Sequence, residues 1–200
     1  MKLNMREALV TLDGPVTGMQ LPDITLDTEK IKAIMINEVV PYNPADDFYG
    51  DNTPPDYLTT TLPLFEKAGF RAGSIDDIIA AGVYITNAVK VPKTDTTISR
   101  EQIEKCVPVL EYEMSLFPNL KVIMLMGDVA KKAFNMITKA KTKKNAVPSI
   151  STYKLRSSEL FYEGKRIFPS YIMTGGNILI EKSKVEMAAE DIQKMFAIIK

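Results

Sequence analysis

Four segments of the chain, in a fixed order, join an apolar run to a polar or Gly/Pro-containing stretch. They span residues 31–50, 82–93, 120–134 and 166–180. This pattern is typical of buried parallel strands, whose two faces are both covered so that only the following loop meets solvent. The loops after parallel strands gather at the carboxyl edge of the sheet, where ligands bind. The pattern therefore predicts buried parallel strands, with the loops after the first, second and fourth segments sharing one crevice.

Helical patterns separate these runs. Ser74 and Ser99 each stand three residues before an acidic or amide side chain at the start of such a pattern, which predicts capping boxes. A turn at Gly164 predicts a hairpin, and residues 181–200 predict a long terminal helix. Strands that alternate with helices predict an α/β fold: a three-layer sandwich with a central, mainly parallel sheet. We expect a single domain over residues 1–200.

The composition excludes several kinds of site. The chain of 200 residues has one cysteine, Cys106, and no histidine. It therefore lacks the ligands for an internal disulfide, an iron–sulfur cluster or a four-ligand zinc site, and we expect no cofactor. No apolar run approaches the roughly 18 residues that a membrane span needs, and no signal peptide is visible, so we expect a cytoplasmic protein.

Charge is unevenly distributed along a chain whose net charge is zero. Residues 1–130 have a net charge of −8, whereas residues 131–166 carry ten basic and two acidic side chains, a net charge of +8. Such a basic block is typical of a surface that faces phosphates, although a solvated helix end and loop would have the same composition. The candidate nucleic-acid contacts in the block are Lys131, Lys132, Lys154, Arg156, Lys165 and Arg166.

The wording of the four segments resembles a known family. Residues 37–41 read Asn-Glu-Val-Val-Pro, 46–50 read Asp-Asp-Phe-Tyr-Gly, 86–92 read Thr-Asn-Ala-Val-Lys-Val-Pro, and 168–171 read Phe-Pro-Ser-Tyr. In this order, over residues 31–199, they resemble the uracil-DNA glycosylase superfamily, most closely its iron–sulfur class. The resemblance implies a uracil-DNA glycosylase-like fold, and DNA or another nucleobase-containing molecule as the partner.

The second motif is the most specific match. In the family, the Asn at the position of Asn87 pairs with the edge of uracil. An amide can do this because it offers a donor and an acceptor side by side. Asn87 could instead cap the turn after its strand. The family's cluster-binding Cys is replaced by Val91, so the resemblance does not extend to the cluster.

The first motif offers two registers for the group that positions water. Anchoring on Glu38 matches the family's Glu but leaves one extra residue before Pro41. Anchoring on Pro41 resembles the Asp-Pro-Tyr of another class and puts Val40 where its catalytic Asp belongs. A carboxylate here would stabilise positive charge on the sugar and hold the attacking water. The resemblance implies Glu38 or Asp46, with Asp47 nearby, unless these are solvated or structural carboxylates.

The same motif implies an aromatic ring that stacks on the extruded base. Phe48 and Tyr49 are the candidates, and stacking of this kind contributes roughly 1–3 kcal/mol per base. The alternative is a loop aromatic that folds onto the core.

The last motif departs from the family. Phe-Pro-Ser-Tyr matches as far as Tyr171, but Ile172 occupies the position of the family's histidine. An isoleucine cannot donate to the base carbonyl that gains charge as the bond breaks. Removal of one such donor lowers rates by about 10²–10³ in other enzymes. The following loop, from Thr174, could approach DNA through backbone N–H groups or be a simple turn.

The sequence thus leaves three functions open. The protein could be a glycosylase-like hydrolase that cleaves the N-glycosidic bond of a flipped uracil or deaminated base. It could be a nucleobase-binding module of the same fold with little or no activity, which Ile172 favours. It could also be an α/β protein with an unrelated small ligand.

Overall fold

The computed structural model describes residues 1–14 and 16–200. Its strands are β1 (Lys2–Asn4), β2 (Thr25–Asp27), β3 (Ala33–Val39), β4 (Val83–Val89), β5 (Val122–Met126), β6 (Leu160–Tyr162) and β7 (Lys165–Ser170). Its α-helices are α1 (Met5–Val10), α2 (Asp56–Lys67), α3 (Ile75–Ala80), α4 (Arg100–Ser115), α5 (Asp128–Thr142), α6 (Thr152–Leu155) and α7 (Lys182–Ile199). Within the described ranges, every helix is too short or too polar to cross a membrane.

A five-stranded sheet in the order β4-β3-β5-β7-β6 forms the centre of the molecule. Its strands are parallel except for β6, which pairs antiparallel with β7. The short strands β1 and β2 form a separate antiparallel ribbon. The predicted α/β sandwich with a mainly parallel sheet is confirmed, whereas the ribbon was not anticipated from the sequence.

Alternate residues of the strands face two separate hydrophobic cores. On β3, Ile34 and Ile36 pack towards α4 and α5, whereas Ala33 and Met35 pack towards α2, α3 and α7. Side chains alternate along a strand, so a strand covered on both faces must be apolar at every position. This explains why the strands appear in the sequence as continuous apolar runs.

The local signals in the sequence act as predicted. The Ser74 and Ser99 side chains both complete capping boxes, at the starts of α3 and α4. The β6–β7 hairpin turns at Glu163 and Gly164, with φ angles of 48° and 76°. Glycine adopts such angles readily, which favours a tight turn at this point.

A buried ion pair ties β4 to α4. Lys90 follows the end of β4, and its ammonium lies 2.6 Å from Glu113 Oε2, with both side chains almost fully buried. The hydroxyls of Tyr84 and Thr86 donate to Glu113 Oε1 at 2.7 and 2.8 Å. Burial of two charges is tolerated because each has charged or hydrogen-bonding partners.

We expect Glu113→Gln to lower the free energy of unfolding by about 3–5 kcal/mol, because the buried Lys90 ammonium would then lose its nearest counter-charge. The matched control is Glu186→Gln, which breaks the solvent-exposed Lys67–Glu186 pair of 2.7 Å. That change should lower the free energy of unfolding by less than about 1 kcal/mol. Urea denaturation of both variants measures the difference, and equal small losses would contradict the prediction.

Candidate functional site

A cleft of about 720 Å³ opens at the carboxyl edge of the central sheet. Glu38, the second-to-last residue of β3, and Gly127, directly after β5, form part of its wall. The segment after β7 supplies Tyr171, Ile172 and Thr174. The start of helix α6, which belongs to the basic segment 131–166, lines another side of the cleft. A crevice therefore lies at the expected edge, with the first, third and fourth segments in its wall, whereas the second segment is not part of its lining.

Glu38 caps helix α5 at this edge of the sheet and has a raised pKa. Its Oε2 accepts a hydrogen bond of 2.7 Å from the backbone N–H of Val129, in the first turn of α5. The N-cap of that helix is Gly127, which has no side chain, so Glu38 provides the cap from another strand. Burial raises the pKa of Glu38, as does the nearby charge of Asp128, whereas the Val129 N–H acts in the opposite direction.

Ile172 and Glu38 approach the same backbone position. A Cβ atom at Gly127 would lie 2.7 Å from Ile172 Cγ1 and 2.8 Å from Glu38 Cδ. Gly127 also has a φ of 101°, which other residues rarely adopt. Glycine at position 127 thus allows Glu38 and Ile172 to lie close together in the cleft.

A chain of hydrogen bonds leads from the cleft into the protein. Thr174 Oγ1 donates to Asn37 Oδ1 at 3.2 Å, Asn37 Nδ2 donates to Asn87 Oδ1 at 2.8 Å, and Asn87 Nδ2 donates to Asp47 Oδ1 at 2.8 Å. Asn37 is 1% exposed, and Asn87 and Asp47 are each 5% exposed. Asn87 therefore lies behind Asn37, and its side chain does not line the cleft.

The sequence interpretation gave Asn37 no role. Asn37 and Asn87 are register partners on the parallel strands β3 and β4. Two amides at equivalent positions near the ends of adjacent strands were visible in the sequence. They could have been paired once the strands were assumed to be neighbours.

The two candidate stacking rings are turned into the protein. Phe48 is 1% exposed and packs against Tyr57, with ring centroids 5.2 Å apart. The Tyr49 hydroxyl donates to the Ile85 backbone carbonyl at 2.7 Å. Their stacking on a base remains a prediction.

Asp46 ends a short 3-10 turn at Pro44–Asp46, and its carboxylate faces the start of α2 instead of the cleft. Its Oδ1 accepts a hydrogen bond of 2.6 Å from Asn52 Nδ2 and one of 3.3 Å from the Asp56 N–H. These bonds close the loop that leads into α2. A catalytic role for Asp46 remains a prediction, and Glu38 is the candidate that the structure brings to the cleft.

A buried ion pair holds the beginning of the last motif. Ser170 Oγ donates to Asp191 Oδ2 at 2.7 Å, and Arg156 Nε lies 3.0 Å from the same oxygen. Only 10% of the Arg156 side chain is exposed. Burial raises the pKa of Asp191, and its bonds with Arg156 and Ser170 act in the opposite direction. Arg156 was predicted to contact DNA, but here it anchors α6 to α7.

The other five basic candidates do not form one surface. Lys131 is buried and binds Asp128 at 2.7 Å. Lys165 and Arg166 begin β7 and so lie at the amino edge of the sheet, opposite the cleft. Lys132 and Lys154 are exposed on the cleft side. Lys131 and Lys132 line a groove of about 770 Å³ that adjoins the cleft, since both cavities include Asp128 and Ser151.

We expect the raised pKa of Glu38 to appear in the pH dependence of stability. The folded state binds the proton of the Glu38 carboxyl more tightly than the unfolded chain does. Protonation of Glu38 therefore stabilises the fold fully below the unfolded-state pKa, and this stabilisation is lost as pH rises through the folded-state pKa. Glu38→Gln keeps an acceptor for Val129 but cannot titrate. The free energy of unfolding of wild type minus that of Glu38→Gln should therefore fall from acidic towards neutral pH. Urea denaturation across this range is the measurement, and a pH-independent difference would contradict it.

One comparison with known proteins identifies the family of the chain. The sequence model of the uracil DNA glycosylase superfamily matches residues 46–175, well over half of the chain. This range includes Asn87 and the last motif with Ile172. No curated protein matches the chain. The extent of the match, together with the parallel sheet, shows that the chain belongs to the uracil DNA glycosylase superfamily.

Proposed function

We propose that the protein binds a nucleobase extruded from DNA at the carboxyl edge of its sheet and hydrolyses the N-glycosidic bond slowly. The observation that carries the proposal is the arrangement of three groups at one cleft. Glu38 and Ile172 meet over Gly127, and the Asn37–Asn87 amide pair lies directly behind Thr174. A carboxylate and an amide are the groups required to stabilise sugar charge and to read a base edge.

Asn87 reads the base in this proposal. Within the described residues, Asn37 donates to one lone pair of Asn87 Oδ1, and Asp47 accepts one N–H of Asn87 Nδ2. One N–H and one lone pair of the amide remain for a ligand. The base reaches them when Thr174 releases its 3.2 Å hydrogen bond to Asn37. Phe48, adjacent to Asp47, supplies the stacking ring after it turns away from its contact with Tyr57.

Glu38 stabilises the reacting sugar. As the glycosidic bond breaks, the sugar develops positive charge, and a carboxylate at the cleft lowers the energy of that state. The same carboxylate can hold the attacking water. Its raised pKa, caused mainly by burial, moves it towards the range in which a general base is effective.

Ile172 makes the reaction slow. The departing base gains negative charge on its carbonyl oxygen, and the isoleucine side chain has no hydrogen to donate to it. A missing donor of this type lowers the rate by about 10²–10³. Because Ile172 lies next to Glu38, a histidine at this position would have a carboxylate beside it, which stabilises the protonated ring.

We expect Ile172→His to raise the single-turnover rate of uracil release from DNA by about tenfold or more, because the imidazole restores a donor. Asn87→Ala should abolish release, since the base edge loses both hydrogen bonds. Ile198→His is the matched control: it places the same ring on an exposed position of α7, at the other end of the sheet. Quantification of abasic sites in oligonucleotides provides the rates.

Two outcomes would change the proposal. A wild-type rate that Asn87→Ala leaves unaltered would show that Asn87 does not read the base. Absence of cleavage by both wild type and Ile172→His would favour the second candidate function, a nucleobase-binding module without hydrolysis. The apolar side chain at position 172 is the observation that supports this second candidate.

DNA reaches the cleft along the adjoining groove in our proposal. Lys132 and Lys139 are exposed on the groove wall, and Lys154 is exposed on α6, whose first two residues line the cleft. Exposed ammonium groups suit a phosphate backbone, whose binding releases counterions.

We expect DNA affinity to fall steeply with salt, with a slope in log K against log salt of about −0.9 for each phosphate neutralised. The double variant Lys132→Ala/Lys154→Ala should weaken binding and make this slope shallower. Lys121→Ala is the control, because Lys121 is exposed at the opposite edge of the sheet. Titration of labelled DNA at several ionic strengths measures the slope. No binding at low salt would remove nucleic acid as the partner.

A further inference from the structure

The hydrogen bonds behind the cleft all run in one direction. The Thr174 hydroxyl donates to Asn37, the Asn37 amide donates to Asn87, and the Asn87 amide donates to Asp47. Each hydroxyl or amide in this series could also be arranged in the reverse sense, because it has both a donor and an acceptor. Asp47 differs from them, since an ionised carboxylate only accepts.

Polar and charged partners offset part of the cost of ionising the buried Asp47 carboxylate. Burial raises its pKa, but hydrogen bonds from Asn87 and from the Phe48 N–H, together with the charge of Lys90, act in the opposite direction. Lys90 also donates to the backbone carbonyl of Asn87 at 2.7 Å. The carboxylate and the ammonium thus hold the same residue from its side chain and from its backbone.

We propose that Asp47 determines which base the protein selects, because it locks the orientation of the Asn87 amide. The proposal rests on the proposed function, in which Asn87 reads the base. With Nδ2 held towards Asp47 and Oδ1 towards Asn37, the free N–H and the free lone pair have fixed positions. Reversal of the amide would direct its oxygen at a carboxylate oxygen and its NH₂ group at another NH₂ group.

This orientation matches one class of base edge. Uracil presents a carbonyl oxygen beside a ring N–H, which pair with the amide's N–H and lone pair respectively. Cytosine presents an amino group beside an unprotonated ring nitrogen, so in the same pose donor faces donor and acceptor faces acceptor. The site is nearly dry, since Asn37, Asn87 and Asp47 are at most 5% exposed, and mismatched polar groups are costly in such surroundings.

The test is the preference for uracil over cytosine in wild type and in Asp47→Asn. Asparagine has almost the same shape as aspartate, but it can donate as well as accept, so the Asn87 amide becomes free to turn. The probes are oligonucleotides with one 2′-fluoro-2′-deoxyuridine or one 2′-fluoro-2′-deoxycytidine, in which the fluorine slows glycosidic cleavage. The control is Asp51→Asn, an exposed carboxylate of the same loop.

Wild type and Asp51→Asn should bind the uracil probe about tenfold or more tightly than the cytosine probe, which corresponds to roughly 1.4 kcal/mol. In Asp47→Asn the two affinities should approach each other, mainly because cytosine binds more tightly. A gain in cytosine binding is not expected from damage to the fold. An unchanged preference in folded Asp47→Asn would overturn the proposal and leave the proposed function intact.

Two further outcomes separate the hypotheses. A wild type that binds neither probe overturns the proposed function and, with it, the role of Asp47 in selection. The lock is also tested without ligand, because ¹⁵N-edited spectra report exchange of side-chain amide protons. In the wild type, the Asn87 amide should exchange at least about tenfold more slowly than the exposed Asn177, given its buried hydrogen bonds. Equal rates would overturn the proposal, even if Asp47→Asn does not fold.

Discussion

The parallel pairing of β3 with β4 determines the positions of the polar groups at the site. Asn37 lies opposite Asn87 in this register, and the residues before both are buried and mostly apolar. Since side chains alternate between faces, a slip of one residue would bring Asn37 to the face of α4 and α5. It would also bring Glu38 to the other core. The hydrophobic patterns of two adjacent strands therefore fix the geometry of the amide pair.

The polar groups at this edge are buried, and each is held by partners from distant segments. Asn87 has its side chain between Asn37 and Asp47 and its backbone carbonyl on the Lys90 ammonium. The counter-charge of Lys90 comes from Glu113 on α4. Buried groups of this kind contribute to a unique arrangement because any alternative leaves one of them without a partner. Stability and base recognition thus depend on the same contacts in our proposal.

The two halves of the proposed chemistry are unequally represented in the cleft. For base recognition, the Asn87 amide is held in one orientation by its neighbours. For departure of the base, Ile172 offers no hydrogen-bond donor. Glu38 serves the cleft and also caps α5, because Gly127 offers that helix no side chain. A carboxylate with a structural hydrogen bond is well oriented but has one fewer lone pair for water. This combination is consistent with selective binding and slow hydrolysis.

The sequence by itself determined the elements and their class. Apolar runs predicted the strands, and Ser74 and Ser99 predicted the helix starts, because such signals are local. The order of the four motifs indicated the family. Only the tertiary structure decided the partners of the polar residues. Arg156 meets Asp191 across 35 positions, and Asn87 meets Asp47 across 40. A side chain's type limits what it can bind, but its actual partner depends on which segments the folded chain brings together.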